Sequence, residues 1–133
     1  MQDTSSNVKR VLIVEDETSI IEFCRRVLAD CGFEVDTASS VKAAYETIEK
    51  IQYDIYLIDM RLPQIDGTEL YLWLEAKRPE LLKKVIFTTG DVMNRDTLDF
   101  LKKNKAPVLE KPFSPDELKS IIQQVINPSQ NKS

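Results

Sequence analysis

The chain contains no histidine, which rules it out as the histidine partner in a phosphorelay. It also lacks an excess of basic charge: 18 Lys and Arg against 22 Asp and Glu leave a formal net charge of −4. That balance argues against direct contact with nucleic acid, which wants a basic face. No apolar run approaches the length of a membrane span. The first ten residues, MQDTSSNVKR, lack the apolar stretch of a secretory signal. A cytoplasmic protein without direct membrane contact is therefore expected. There are 2 cysteines, Cys24 and Cys31. Within one helix their Cα atoms would lie ~10 Å apart, beyond the ~7 Å reach of a disulfide, so both read as reduced, small core residues.

What is present is ordered and periodic. At 133 residues the chain suffices for one domain with a core that needs no staples. Short apolar runs at 11–14, 34–38, 55–58, 85–88 and 107–109 alternate with amphipathic segments. Near-continuous apolar strands imply burial on both faces, as in a parallel sheet covered by helices. The more polar Glu34–Ala38 run suits a sheet edge. A first helix carries Ile20, Cys24, Val27, Leu28 and Cys31 on one stripe and ends at Gly32. Ser40 caps a second, which turns Ala44, Ile48 and Ile51 inward. A third follows Asp66-Gly67 and presents Leu70 and Leu74, and a fourth, over 94–103, has only Leu98 and Leu101 at helical spacing. The fifth opens on Ser114-Pro115-Asp116-Glu117, which reads as N-cap, N1 proline and capping box. Its stripe is Leu118, Ile121, Ile122, Val125 and Ile126.

Five βα units predict a doubly wound α/β sandwich with a five-stranded parallel sheet in the flavodoxin-like order 2-1-3-4-5. Residues 10–126 form the expected domain, between tails 1–9 and 127–133. Right-handed crossovers place every strand's C-terminal end on one edge. Four polar signals then meet there: Glu15-Asp16 after VLIV, Asp59 after IYLI, Thr89 in VIFTT, and Lys111-Pro112 after PVLE. Taken singly, each has an ordinary explanation in helix-dipole or turn chemistry. Two carboxylates ~4 Å apart repel by roughly 4 kcal/mol at an effective dielectric near 20, so Glu15, Asp16 and Asp59 together call for a cation or a proton. An all-oxygen ligand set of this kind suits Mg²⁺.

The acidic pair in VLIVEDE, Asp59 and Pro63 in LIDMRLPQIDG, Thr89-Gly90 in FTTGD and Lys111-Pro112 in LEKPF resemble, in order and spacing, the receiver domains of two-component response regulators. The resemblance covers about 10–126. It implies that Asp59 accepts a phosphoryl group from a histidine kinase or histidine phosphotransfer domain. It further implies that Asp16, Asp59 and the backbone carbonyl of Arg61 ligate Mg²⁺, with Glu15 acting largely through water. Thr89 would hydrogen-bond the phosphoryl oxygens, and Lys111 would pair with Asp59 and then with its phosphate. The Lys111–Pro112 bond is cis in the family, whereas the general preference of X-Pro bonds favours trans.

The pattern departs from the family at Val108, where many members carry an aromatic residue that swings inward, so a smaller response of strand 5 and helix 4 is expected. An Arg61–Asp91 ion pair at the rim is expected to lengthen the phosphate's lifetime modestly. Leu70-Tyr71-Leu72-Trp73-Leu74 exceeds what one buried face needs, which points to a broad core stripe with a half-exposed ring or to self-association through Trp73. The leading reading is a phosphoacceptor signalling domain and not an enzyme, either the C-terminal receiver of a hybrid histidine kinase or a freestanding regulator. The alternatives are a receiver-like scaffold that is never phosphorylated and an aspartyl-nucleophile phosphatase. VEDET lacks the D-x-D of haloacid-dehalogenase-like phosphatases, and Glu15-Asp16-Glu17 would repel a bound nucleotide or flavin.

Overall fold

The computed structural model describes residues 8–61, 67–90 and 95–127. Its elements run β1 (Arg10–Val14), α1 (Thr18–Asp30), β2 (Glu34–Ala38), α2 (Val41–Lys50), β3 (Ile55–Asp59), α3 (Gly67–Lys77), β4 (Val85–Thr89), α4 (Arg95–Asn104), β5 (Val108–Glu110) and α5 (Pro115–Ile126). The five strands are parallel and ordered β2-β1-β3-β4-β5, the doubly wound arrangement expected. β3 and β4 are buried along their whole length, while β2 exposes most of its residues at the edge. β5 begins one residue later than the apolar run suggested. Pro107 has no N–H to give a ladder, and it contributes only its carbonyl, which accepts from the Phe87 amide at 2.9 Å. A short 3-10 helix, Pro79–Lys84, leads into β4.

Strand alternation divides the apolar residues between two cores. Leu12, Val14, Tyr56 and Ile58 face α2 and α3, whereas Val11, Ile13, Ile55 and Leu57 face α1 and α5. Each large side chain removed from water contributes about 1.5–3 kcal/mol. α4 is the exception, with no fully buried residue. Leu98 and Leu101 are only half-buried. Phe100 meets the rings of Tyr71 and Phe87 at 5.3 and 5.5 Å, nearly edge-on. In α3, Leu70, Tyr71 and Leu74 are buried, Leu72 is 52% exposed, and half-buried Trp73 lies 4.6 Å from the Tyr45 ring. The broad stripe with one half-exposed ring is therefore present.

The helix ends follow their local chemistry. The Ser40 hydroxyl accepts from the Ala43 amide, and Ser114 with Glu117 forms the reciprocal capping box. Gly32 takes φ +89 after α1, a conformation that glycine enters without a Cβ clash. Cys31 corrects the expectation of two core thiols. It falls at the C-cap with φ −92 and ψ 3, outside helical geometry, so its side chain leaves the apolar stripe and is exposed. Cys24 is buried, and burial, with the charge of Glu15, pushes its thiol up to about 12. A maleimide probe on the native protein should label Cys31 within minutes and spare Cys24 until denaturant is added. Equal labelling of both thiols by peptide mapping would contradict this packing.

Tyr53 fastens the approach to β3 to the sheet edge, its hydroxyl donating to Asp36 Oδ2 at 2.6 Å. Burial and this hydrogen bond hold the phenol well above its ordinary value of 10.0. The stability that this shift contributes is full below pH 10 and is lost as pH rises above it, because the unfolded phenol ionises first. Thermal midpoints taken from about pH 8 to about pH 11 should fall more gently for Tyr53→Phe than for wild type. Parallel curves would remove Tyr53 from the alkaline transition.

Candidate functional site

Four strands deliver their C-terminal residues to one crevice. Asp59 closes β3 and is 6% exposed. Its Oδ1 accepts the Arg61 amide at 3.0 Å, and its Oδ2 lies 3.3 Å from Lys111 Nζ. Glu15 follows β1 and is 2% exposed. Its amide donates to the Ala38 carbonyl at 3.0 Å, its Oε1 meets Lys111 Nζ at 3.0 Å, and its Oε2 accepts the Glu17 amide at 3.2 Å. Asp16 sits exposed at the rim, yet a carboxylate oxygen from each of Glu15, Asp16 and Asp59 lies within 4.8 Å of the others. Thr89 is buried at the end of β4, and its carbonyl accepts the Lys111 amide at 2.8 Å.

The electrostatics follow from that crowding. Burial first, and then the charge of Asp59, push Glu15 above the usual carboxylate range, against the opposing pull of Lys111. Burial alone would lower the Lys111 ammonium. The Glu15 hydrogen bond and the charge of Asp59 outweigh it, and Lys111 is held above its ordinary value. Three carboxylates against one ammonium leave net negative charge in a partly dry crevice. The donor set is entirely oxygen, two groups are buried and one faces solvent, which is the chemistry that a hard divalent cation such as Mg²⁺ accepts.

Glu15, Asp16, Asp59 and Lys111 are thus brought together, with Thr89 beside them on β4. Lys111 was expected to pair with Asp59, but Glu15 is its nearer partner. Glu15 is thereby an anchoring group as well as a candidate metal ligand, a role the acidic pair in VLIVEDE did not reveal. At Arg61 it is the amide that is tied to Asp59. Pro63 and Asp91 lie outside the described residues, and with them the expected Arg61–Asp91 pair. The Lys111–Pro112 peptide is cis, which corrects the trans expectation; the tertiary amide of an X-Pro bond gives trans only a small intrinsic advantage. Val108 is half-buried and pairs in register with Phe87.

An open parallel sheet with an acidic crevice between β1 and β3 and a lysine reaching in from β5 defines a phosphoacceptor class of α/β domain. Residues 11–123 match the model of the response regulator receiver domain. The chain belongs to that family, and it is a receiver domain of two-component systems. It is 34% identical over 115 residues to the transcription factor SKN7 of Saccharomyces cerevisiae, covering 84% of this chain and only 18% of that protein. The CheY-like receiver domain protein from Methanospirillum hungatei superposes with a TM-score of 0.82 at 28% identity, covering 95% of this chain and 99% of that one. The receiver domain of the sensor histidine kinase PA1611 from Pseudomonas aeruginosa, solved with magnesium coordinated in its active-site cleft, gives a TM-score of 0.80 at 27% identity, with 90% and 98% covered. Receiver domains of this family bind Mg²⁺ at the acidic site and take phosphate from histidine kinases or phosphotransfer proteins. Among the described residues, no helix is long and apolar enough to cross a membrane.

Proposed function

We propose that Asp59 is the phosphoacceptor, and that Glu15, Asp16, Asp59 and the Arg61 carbonyl hold Mg²⁺ beside it. The observation that carries this reading is a buried carboxylate ending a central strand, within 4.8 Å of two others and 3.3 Å from a lysine. Asp59 acts as a carboxylate nucleophile: its oxygen bonds to phosphorus as the bond to the donor nitrogen breaks. Bound Mg²⁺ supplies positive charge to the phosphoryl oxygens. The Arg61 amide orients Asp59, Lys111 offers a second cation, and the Thr89 hydroxyl offers a donor to the new oxygens. The phosphodonor is a histidine kinase or histidine phosphotransfer domain, in the cytoplasm. The acting unit is residues 10–126, and contact with nucleic acid or membrane is not part of its role. With Val108 in place of an aromatic residue, the response of β5 and α4 is small.

Intact-protein mass after incubation with acetyl phosphate tests the reading. One phosphoryl adduct that disappears in EDTA is expected. No adduct, together with no Mg²⁺ binding by calorimetry, would leave the unphosphorylated scaffold as the better description.

A further inference from the structure

The edge of the sheet opposite the acidic crevice carries a cluster of lysines. Lys9 immediately precedes β1, Lys83 and Lys84 precede β4, and Pro107 precedes β5. With Val125 and Ile126 from the end of α5, these residues line a cleft of about 460 Å³. The three apolar members are half-buried. None of the three lysines forms an ion pair among the described residues, although the charge of Lys84 is felt by Glu80. The one acid among the described lining residues is Asp54, whose Oδ2 accepts the Arg10 amide at 2.8 Å. Complementing a helix C-terminus accounts for lysines at the end of a turn, but Lys9 sits on no helix. Among the described lining residues, three lysines against one carboxylate leave an excess of positive charge around apolar side chains.

We propose that this cleft docks a short acidic protein segment that inserts one or two apolar side chains among Lys9, Lys83 and Lys84. Charge complementarity selects the acidic flanks, and Pro107, Val125 and Ile126 select an apolar anchor. Nucleic acid fits less well, since the cleft is apolar between its lysines and the chain as a whole is acidic at −4. The site lies a strand's length, ~16 Å at about 3.3 Å per residue, from the phosphoacceptor edge, so the proposal stands independently of the chemistry there.

The test is fluorescence anisotropy with a fluorescein-labelled peptide in which Leu-Phe is flanked by glutamates. Saturable binding is expected, weakened about tenfold or more by Lys83→Glu/Lys84→Glu and separately by Lys9→Glu. It should also be lost when glutamine replaces the peptide's glutamates or serine replaces Leu-Phe. Circular dichroism melts would establish that the charge-reversed variants remain folded. No saturable binding by wild type up to about 1 mM peptide, or equal binding by the reversed variants, would overturn the proposal. So would a short DNA duplex that displaces the peptide from the same lysines, which would assign the cleft to nucleic acid.

Discussion

Asparagine in place of Asp59 is expected to abolish phosphoryl uptake and, in the absence of divalent metal, to raise the thermal midpoint. The amide has no carboxylate to attack phosphorus, so the adduct should vanish from the mass spectrum. The shape is preserved, and the Asn Oδ1 can still accept the Arg61 amide that Asp59 accepts at 3.0 Å. What changes is charge. Two repulsions disappear, those with Glu15 and Asp16 inside the 4.8 Å cluster, against one lost attraction, the 3.3 Å contact with Lys111. Each such interaction is on the order of 4 kcal/mol at an effective dielectric near 20. Solvent at the Asp16 rim screens one of them, leaving a net gain of about 1 kcal/mol, or ~3–5 °C for a domain of this size. Saturating Mg²⁺ should close the gap, because it stabilises the wild type more. A variant that melts below wild type in EDTA would mean that pairing with Lys111 outweighs the repulsion. An adduct surviving in the variant would move the acceptor to another residue.

Methionine at position 111 should act in the opposite direction and more strongly. Lys111 bridges Glu15 at 3.0 Å and Asp59 at 3.3 Å with only 17% of its side chain exposed. Methionine preserves much of the apolar stem's packing while removing the ammonium. Two buried carboxylates then face Asp16 without the ammonium that both contact, and breaking a pair in that way costs on the order of 3 kcal/mol. Urea unfolding in EDTA should show the loss, and Mg²⁺ should restore part of it by supplying the missing charge. The double variant Asp59→Asn/Lys111→Met should lose less than the two single effects summed, since both act on one cluster. A loss below about 0.5 kcal/mol in both buffers would be that of an ordinary surface site and would remove Lys111 from the charge balance.

Strand alternation and helix stripes made the layered fold legible because both faces of the central strands are buried, and apolar residues were needed at every position of β3 before Asp59. The crevice was legible for a related reason: the parallel topology sends every strand end to one edge, so residues far apart in sequence had to meet. What escaped were features set by single backbone geometries or by tertiary contact. Cys31 keeps the helical spacing of a core residue, yet the chain has already left the helix there. Phe100, set between Asp99 and Leu101, fell outside the Leu98 and Leu101 spacing that marked this helix, although its ring is what seats α4 on Tyr71 and Phe87. Lys111's preference for Glu15 depends on side-chain reach across two strands, which spacing along the chain does not encode.

The pairing of Trp73 with Tyr45 has an optical consequence. The chain has 1 tryptophan, so its red-edge-excited fluorescence comes from a single indole, half-buried at the contact between α2 and α3 and 4.6 Å from a tyrosine ring. Any molecule that covers the outer face of α3 should shift that emission to the blue. Loosening of α2 from α3 should shift it to the red. The two events are separable in one spectrum without a label.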